Sequence, residues 1–468
     1  MNYPIWDVPH IGSGWVIGLI AIYHVMISHF AVGGGLYLIL AERKAIREGR
    51  REWLPTLVQH SKFFLILTGV FGAVSGVGIW FAIGLAQPEA TSTLIHNFVF
   101  GWAIEWVFFI IELSAAAVYY YSWNRVSDEL HMKVGWLYAI ASFLTLFIIN
   151  GILTFMLTPG DPWLAVAGTG NEASRFWQAF FNPTFWPSLL LRVLVCVSLA
   201  GLWALVTCSR LDGGKQKELK TSLVRWSAKW LLPSFLLLPL AFGWYLWQVP
   251  EAQRALLKLG ISSIGAGAFT QLTRTALVVL LSSMSIALVV YFFAYRTPAE
   301  FGFGQSLGIL FLGLIATASG EYTREMLRKP YVVGQHMFSN GVRKSEVAKF
   351  NQDGFLKNAL WVKNTKFPET KLAQGAAMFR GQCMACHTVD VYRSMNRLLA
   401  DRNREAIGNL LQMLHEYKPD SPYRKYMPPL VGTQAEVDAL GDYLATLTKK
   451  APTPIAEPEK KAPVAVNR

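Results

Sequence analysis

The most chemically specific stretch of this sequence is Cys383-Met-Ala-Cys386-His387. Two thiols one helical turn apart, followed at once by an imidazole, form the pattern that attaches a haem covalently: the thiols form thioethers and the imidazole ligates iron. Half of a zinc site is the alternative, but no second Cys/His pair follows at zinc spacing. Further along, Met427 lies in the sequence Tyr-Met-Pro-Pro and offers a thioether as second axial ligand. The sequence therefore predicts haem c held by Cys383, Cys386, His387 and Met427.

The elements around this motif are those of a small helical domain, and the segment resembles a class I cytochrome c. One helix is predicted before the motif, over 372–379, and another after it, over 435–448. We predict a domain over residues 369–448, preceded by a linker over 336–368. The Pro/Ala/Lys-rich tail, 449–468, has the composition of a disordered segment.

The chain as a whole is too apolar for a water-soluble enzyme, because 53% of its 468 residues are hydrophobic and only 16% are charged. A helix that crosses a hydrocarbon core needs about 20 apolar residues. Eight stretches qualify: 15–40, 63–86, 98–122, 134–157, 188–208, 230–249, 275–295 and 303–322. The predicted fold is all-α, a polytopic membrane helix bundle of about eight transmembrane helices over residues 1–335 plus the small α-helical cytochrome c domain.

Loop charges predict which way the spans run. Lys and Arg number 15 in one set of alternate loops and four in the other, which places the first set in the cytoplasm and both termini outside. Haem attachment to such a motif takes place outside the cytoplasmic membrane, so two independent inferences agree. We predict a multi-pass bacterial inner-membrane protein with its cytochrome c domain in the periplasm or outside. The net charge of +13 is then explained by membrane loops, and no nucleic-acid partner is expected.

Ionisable side chains within apolar stretches are costly and usually functional. His24 lies roughly 13 Å inward from the outer end of the first span, at 1.5 Å per residue. Glu105, in the third span, and Glu325, at the outer end of the eighth, also fall in the outer half of the bilayer. These three side chains could ligate or flank haem iron, or they could be isolated packing residues. Glu112 follows Glu105 on the same helix face about 10 Å away, a spacing that suits a proton relay.

The remaining histidines of the spans are expected to do other things. His29 should point about 140° away from His24 on the same helix and serve a different purpose. His60 and His131 fall at cytoplasmic span ends, where they would be either interfacial caps or ligands.

The order of these residues resembles subunit I of cytochrome bd-type oxidases, over roughly residues 15 to 335. The matching sequences are Tyr23-His24, His60-Ser61-Lys62-Phe63, Gly76-Val77-Gly78, Ala103-Ile104-Glu105 with Glu112, Trp123-Asn124-Arg125, His131-Met132-Lys133-Val134-Gly135-Trp136, Asn150-Gly151, Asn182-Pro183 and Glu325-Met326-Leu327-Arg328-Lys329-Pro330-Tyr331.

The resemblance implies roles for the intramembrane residues. His24 would be the axial ligand of the oxygen-reducing haem, which is haem d in the family, and Glu325 would ligate the neighbouring high-spin haem b. Glu105 would lie beside the active haem, with Glu112 and Asn150 on the proton path. The expected cofactors are therefore covalent haem c and haem b, together with haem d or additional haem b.

Two departures from the family bear on electron entry. After Asn182-Pro183, where the family's low-spin haem b has its histidine ligand, this chain has Arg192 among leucines and no histidine. The connection between the sixth and seventh spans, about 250–274, is far shorter than the family's quinol-binding loop. We therefore expect no quinol site of the usual kind.

The sequence predicts a cytochrome bd-like terminal oxidase subunit, an oxidoreductase of electron transport. Electrons from a soluble or membrane c-type cytochrome would enter at haem c, pass to the membrane haems and reduce oxygen to water, and a second membrane subunit is expected. The alternative is a relay that exchanges electrons between quinol or a larger complex and periplasmic cytochromes without oxygen chemistry. A third reading is an anchor subunit whose only redox centre is haem c.

Overall fold

The computed structural model describes residues 3–251, Arg254, Lys258 and 270–448. In these residues eight helices are long and apolar enough to cross a membrane, which confirms the predicted helical bundle. They are α1 (Ser13–Arg47), α2 (Arg51–Ala86), α3 (Pro88–Tyr121), α4 (Asp128–Phe155), α5 (Phe185–Cys208), α6 (Lys217–Gln248), α7 (Gln271–Arg296) and α8 (Phe303–Arg328). We call the end at which α1 begins and α8 ends the outer end, as the loop charges predict, and the opposite end the inner end.

Several helices extend beyond the predicted spans, because charged and capping residues continue them past the apolar stretch. The last turns of α1 carry Lys44 and Arg47, which favour the C-terminal end of a helix dipole. Ser127 caps the start of α4 by accepting a hydrogen bond from the backbone N–H of Leu130 at 3.3 Å. Two helices contain a π-helical segment, Ile66–Gly72 in α2 and Val290–Arg296 in α7.

Helices α4 and α5 form the centre of the bundle. Half or more of the residues in their most apolar windows are buried, 50% and 56%, against 17% in α2, α3, α6, α7 and α8. The glycines of α1 permit its close packing on this centre: a Cβ on Gly33 would lie 1.9 Å from the carbonyl oxygen of Cys196, and one on Gly35 would lie 1.9 Å from Cε1 of Tyr138. These glycines therefore serve helix packing.

The connections between spans contain short elements. Between α4 and α5 lie the helix Asp161–Leu164, the 3₁₀ turn Glu172–Arg175 and the helix Phe176–Phe180. After α8 the chain forms an antiparallel pair of short strands, β1 (Tyr331–Val333) and β2 (Met337–Phe338), with Tyr331 opposite Phe338.

The C-terminal part is also helical. Its principal helices are α9 (Lys371–Gln382), α10 (Arg404–Glu416) and α11 (Gln434–Thr446), and α9 and α11 coincide with the two helices predicted around the haem motif. Shorter helical elements are Lys344–Glu346, Val347–Asp353, Phe355–Asn358, Leu360–Lys363, Met395–Leu398 and Pro422–Lys425. Helices α9 and α11 cross closely at Gly375, where a Cβ would lie 2.1 Å from the carbonyl oxygen of Ala439.

The described residues fall into two compact units. One unit joins the N-terminal tail, up to Ser13, to residues 346–424 and 429–448; the other contains residues 14–345 and 425–428. The tail is bound to a turn of its own unit, because the backbone N–H of Tyr392 donates to the carbonyl oxygen of His10 at 3.0 Å.

Candidate functional site

The His24 side chain is positioned by a contact with a neighbouring helix. Its Nδ1 lies 3.0 Å from Oγ of Ser75. The Ser75 hydroxyl also lies 2.6 Å from the carbonyl oxygen of Phe71; when it donates there, His24 Nδ1 carries the hydrogen of the first contact and Nε2 is left with a lone pair. A Cβ on Gly76 would lie 3.2 Å from Cε1 of His24, so this glycine leaves room beside the imidazole.

The two carboxylates predicted on α3 differ in their surroundings. Glu112 is buried, 8% exposed, and its Oε1 lies 3.2 Å from the hydroxyl of Tyr138 on α4. The same hydroxyl lies 2.8 Å from the carbonyl oxygen of Ala31. The two acceptors compete for one hydroxyl proton, so Glu112 either accepts from Tyr138 or, when protonated, donates to it. Glu105 is half-buried and lies two turns closer to the outer end.

Glu325 is held by cations at the end of its own helix. Its carboxylate pairs with Arg328 and with Lys329, whose Nζ lies 3.1 Å from Oε1. Arg328 is itself buried and donates to the carbonyl oxygen of Val332 at 3.3 Å. The side chain of Glu325 is 41% exposed, so an oxygen ligand is presented at the outer end of α8.

The outer end holds a second group of ionisable side chains, which the sequence did not predict. Glu321 and Arg324 of α8 form an ion pair with an N···O distance of 2.9 Å, and the charge of Glu321 acts on Arg192 of α5 and His29 of α1. His29 Nδ1 donates to the carbonyl oxygen of Val25 at 2.8 Å. We call His29, Arg192, Glu321 and Arg324 the outer charge cluster. The available sequence signal was the run of charges at helical spacing along the end of α8.

A third group, at the inner end, joins three helices. Glu42 of α1 accepts a hydrogen bond from the Tyr119 hydroxyl at 2.6 Å and lies 2.7 Å from Nδ1 of His131. His131 Nε2 donates to the carbonyl oxygen of Tyr119 at 2.8 Å, and the two rings stack with centroids 4.2 Å apart. Glu42 and His131 are only 2% and 3% exposed. We call Glu42, Tyr119 and His131 the inner triad.

His60 and His131 are buried inside the bundle, so the expectation that they are interfacial caps is wrong, and the alternative that they are ligands stays a prediction. His60 Nδ1 lies 2.8 Å from the Thr207 hydroxyl, which ties α2 to α5. Asn150 likewise ties two helices, since its amide donates to the carbonyl oxygen of Phe185 at 2.9 Å.

The comparison with known families bears on this bundle. Residues 13–241 match the family model of cytochrome bd terminal oxidase subunit I. We call this segment the bd-like region; it contains His24, Glu105, Glu112 and the inner triad, and it ends before Glu325 and the haem-attachment motif. The match supports a multi-pass bacterial membrane protein that acts as an oxidoreductase.

The bd-like fold extends further than this segment. A solved structure described as the structure of bd oxidase from Geobacillus thermodenitrificans is similar with a TM-score of 0.58 and 16% sequence identity, covering 68% of this chain and 87% of that one. At this identity the similarity shows the fold. No match was found among curated proteins.

The haem-attachment motif lies outside the bd-like region, at the end of α9. The backbone N–H groups of Cys386 and His387 both donate to the carbonyl oxygen of Cys383 at 3.0 Å, which forms the expected helical turn. His387 Nδ1 donates to the carbonyl oxygen of Arg393 at 2.9 Å, so Nε2 is left with the lone pair that an axial ligand of haem iron needs. Met427 is half-buried, and its role as second axial ligand stays a prediction.

In the part of the chain that the structure describes, no three His, Cys, Asp or Glu side chains are grouped so as to hold a metal ion. Haem iron does not require such a group, because the macrocycle supplies the equatorial ligands and the protein supplies only axial ones. The imidazoles of His24 and His387, each fixed through Nδ1, fit that requirement.

Proposed function

We propose that this protein is the catalytic subunit of a bd-like, cytochrome c-linked oxidase. Electrons from a c-type cytochrome enter at haem c, pass to haems bound in the membrane helices, and reduce oxygen to water. Each oxygen molecule takes four electrons from the donor and four protons from water, and both of its atoms leave as water. Haem supplies the redox centres and the oxygen-binding iron; the chain supplies ligands, charges and a proton supply.

The observation that carries the proposal concerns His24, which lies within the bd-like region. Its Nδ1 contacts the Ser75 hydroxyl, and when Nδ1 carries the hydrogen of that contact, Nε2 is available as the ligand atom, as expected of axial histidines. Gly76 leaves room beside the imidazole.

The outer end of the bundle is suited to anionic cofactor groups. Four cations, Arg192, Arg324, Arg328 and Lys329, lie in α5 and at the end of α8, against two carboxylates, Glu321 and Glu325. Haem propionates are anions, and buried arginines pair with carboxylates in a bidentate geometry. We assign Glu325 as an iron ligand of a membrane haem b and the cations as its electrostatic support; whether the oxygen-binding haem is d or b is decided by haem analysis.

Electron entry through haem c is supported by charge and topology. Residues 342–468 carry 20 Lys and Arg against 13 Asp and Glu, which favours an acidic donor protein. Eight spans are an even number, so both ends of the eight-helix region lie on one side of the membrane. Thioether formation places that side in the periplasm.

A second membrane subunit is proposed to cover part of the bundle. The apolar windows of α2, α3, α6, α7 and α8 are only 17% buried within this chain, which leaves their faces to lipid, haem and a partner. Helix association in membranes relies on such packing faces.

Arg192 favours a second candidate function, an electron relay without oxygen chemistry. A cation stands where the bd family has its low-spin haem ligand, so the route that normally links a quinol site to the active haem is altered. If the chain holds haem c and a single type of membrane haem without oxygen activity, the same residues would pass electrons between carriers.

The test is oxygen uptake by the purified protein, with any subunit that co-purifies, driven by reduced c-type cytochrome. The wild-type protein should consume oxygen with full reduction to water. His24→Ala should retain covalent haem c, lose one membrane haem in a pyridine-haem spectrum, and stop oxygen uptake. Oxygen uptake at the wild-type rate by His24→Ala, or none by the wild type with all haems present, would contradict the oxidase and in the second case favour the relay.

A further inference from the structure

Polar side chains form two matching series along α3 and α4. Glu105, Glu112 and Tyr119 recur every seven residues on α3; Thr145, Tyr138 and His131 recur every seven on α4. Seven residues are nearly two helical turns, so each series stays on one face. Because the helices are antiparallel neighbours, Glu112 meets Tyr138 and Tyr119 meets His131. We call the two series the polar ladder.

The inner triad completes the ladder at its inner end and holds a proton that can move. The carbonyl oxygen of Tyr119 can only accept, so His131 Nε2 must carry a hydrogen. The Tyr119 hydroxyl donates to one oxygen of Glu42. One further proton is then shared across the 2.7 Å contact between His131 Nδ1 and the other oxygen of Glu42, either as imidazolium and carboxylate or as imidazole and carboxylic acid.

The triad lies close to the inner surface. His131 is less than one helical turn after Asp128, whose carboxylate forms an exposed ion pair with Arg51 at 2.6 Å. The triad itself is nearly inaccessible, so it separates the inner aqueous phase from the deeper rungs. Trp123, with its ring centroid 4.2 Å from that of His131, covers the imidazole.

A small cavity lies between the triad and the next rung. It has a volume of about 10 Å³, lies among α1, α2, α3 and α4, and is lined by the rings of Tyr119 and Tyr138. Its lining is apolar and gives a water no hydrogen-bond partner, so it serves as room in which the two tyrosine rings can move. Gly135 keeps the space open, since a Cβ there would lie 2.7 Å from Cγ1 of Ile39 and 3.1 Å from Cε2 of Tyr119.

Further out, the Thr145 hydroxyl marks the next step of the ladder. It is buried, lies two turns outward from Tyr138 on α4 and acts on the carboxylate of Glu112, although the contact is not a well-formed hydrogen bond. A water between these two groups would satisfy the hydroxyl.

We propose that the inner triad is the proton-loading site of the chain: a proton from the inner aqueous phase enters on His131 and Glu42 and moves along the polar ladder, through Glu112 and Glu105, to the outer half of the bundle. The inference rests on the proposed oxidase function, which consumes four protons for each oxygen molecule. No electron moves in these steps. The proton that leaves Glu42 is replaced from the inner phase, so the charge of the triad is restored after each transfer.

Glu42→Gln separates proton transfer from structure. The glutamine oxygen accepts from Tyr119, and its amide donates to His131 Nδ1, so every hydrogen bond of the triad is kept while the exchangeable acid is removed. Oxygen uptake should fall by about tenfold or more, as expected for loss of a proton-transfer group. The ratio of rates in H₂O and D₂O should rise. Haem content and the rate of anaerobic haem reduction by the donor should equal those of the wild type.

Glu48→Gln is the matched control, because Glu48 is an exposed carboxylate just after α1 that pairs with Lys44 and Arg50. It should leave uptake and isotope ratio unchanged. Wild-type turnover and isotope ratio in Glu42→Gln would overturn the ladder alone and leave the oxidase standing. Loss of haem or slowed haem reduction in Glu42→Gln would also overturn it, by making the triad structural. Absence of oxygen uptake in the wild type would overturn the proposed function, and the ladder with it.

Discussion

The inner and outer ends of the membrane bundle handle charge in opposite ways. At the inner end one carboxylate, Glu42, is 2% exposed and shared between two helices through Tyr119 and His131. At the outer end Glu321 and Glu325 pair with cations three or four residues along their own helix. The inner arrangement depends on three helices packing together, whereas the outer one is largely local to α8.

This difference suits the two ends of the bundle to different functions. A buried network with one mobile proton and no excess cation is suited to proton transfer, because its charge can change without a change of partners. A region with more cations than carboxylates is suited to anionic cofactor groups and electron transfer. In the inner end, removal of one partner leaves buried polar groups unsatisfied; in the outer end, partly exposed pairs leave groups that water can reach.

The largest expected effect is at the outer end. His24→Ala removes the imidazole and should lose one membrane haem with all oxygen turnover, while haem c remains attached. Pyridine-haem spectra and oxygen uptake check it. His131→Ala is the matched control for haem content, since His131 is also a buried histidine of the bundle but both of its ring nitrogens are hydrogen-bonded, to Glu42 and to the carbonyl oxygen of Tyr119; it should keep every haem.

Glu42→Leu should be the most destabilising change of a single carboxylate. It leaves Tyr119 and His131 unpaired in the core, and breaking such a buried pair costs about 3–5 kcal/mol. Glu325→Leu, at a side chain 41% exposed, should cost far less. Thermal unfolding of the haem-loaded protein in detergent measures both. An equal loss of stability in Glu42→Leu and Glu325→Leu would contradict the difference between the inner and outer ends.

Gly35→Ala should have a smaller effect that is still specific to the ladder. The new Cβ would lie 1.9 Å from Cε1 of Tyr138 and must displace that ring from Glu112. Overpacking of this kind costs about 1–3 kcal/mol. Gly18→Ala on the same helix is the control, because nothing lies within 4 Å of a Cβ there. An unchanged unfolding temperature and turnover in Gly35→Ala would show that Tyr138 is not held as described.

The smallest expected effect is pH-dependent opening of the hairpin after α8. Burial, and then the charge of Arg343, lowers the pKa of His336 to about 4, although Glu172 acts in the opposite direction. The opened segment then binds more protons than the closed one between the ordinary histidine pKa of about 6.5 and pH 4, so closure weakens as the pH falls through that window.

Hydrogen exchange of residues 331–345 at pH 7 and pH 5 measures this opening. Because intrinsic amide exchange slows as the pH falls, the comparison is made on protection factors, which should be smaller at pH 5 than at pH 7 in the wild type. His336→Phe keeps an aromatic ring against Trp163, which lies 5.1 Å from the imidazole, and should lose the pH dependence. A pH dependence that persists in this variant would assign the effect to another group.

The features predicted correctly from the sequence are those that depend on residues close together along the chain. Eight spans follow from apolar stretches longer than a hydrocarbon core, and the helices around Cys383 and His387 follow from local patterns, so both were confirmed as helices. His24 was singled out because an imidazole in an apolar stretch is rare. Its tautomer could not be predicted, since it depends on Ser75, which lies on another helix.

The inner triad and the outer charge cluster could not be predicted in the same way. Glu42 follows the first span at the start of a charged stretch and reads as an interfacial residue, yet its partner His131 is 89 residues away. Arg192 was noticed only as a departure from a family pattern, and Glu321 belongs to no motif. The short connection expected between the sixth and seventh spans lies largely outside the described residues.

The most direct test of the account is the order in which the haems are reduced. Under anaerobic conditions, rapid mixing with a reduced c-type cytochrome should reduce haem c first and the membrane haems afterwards. In Cys383→Ala combined with Cys386→Ala, the membrane haems should remain and the donor should no longer reduce them. Reduction of the membrane haems by quinol at the same rate in the wild type and in this double variant would contradict entry through haem c, and would make haem c the exit of a relay.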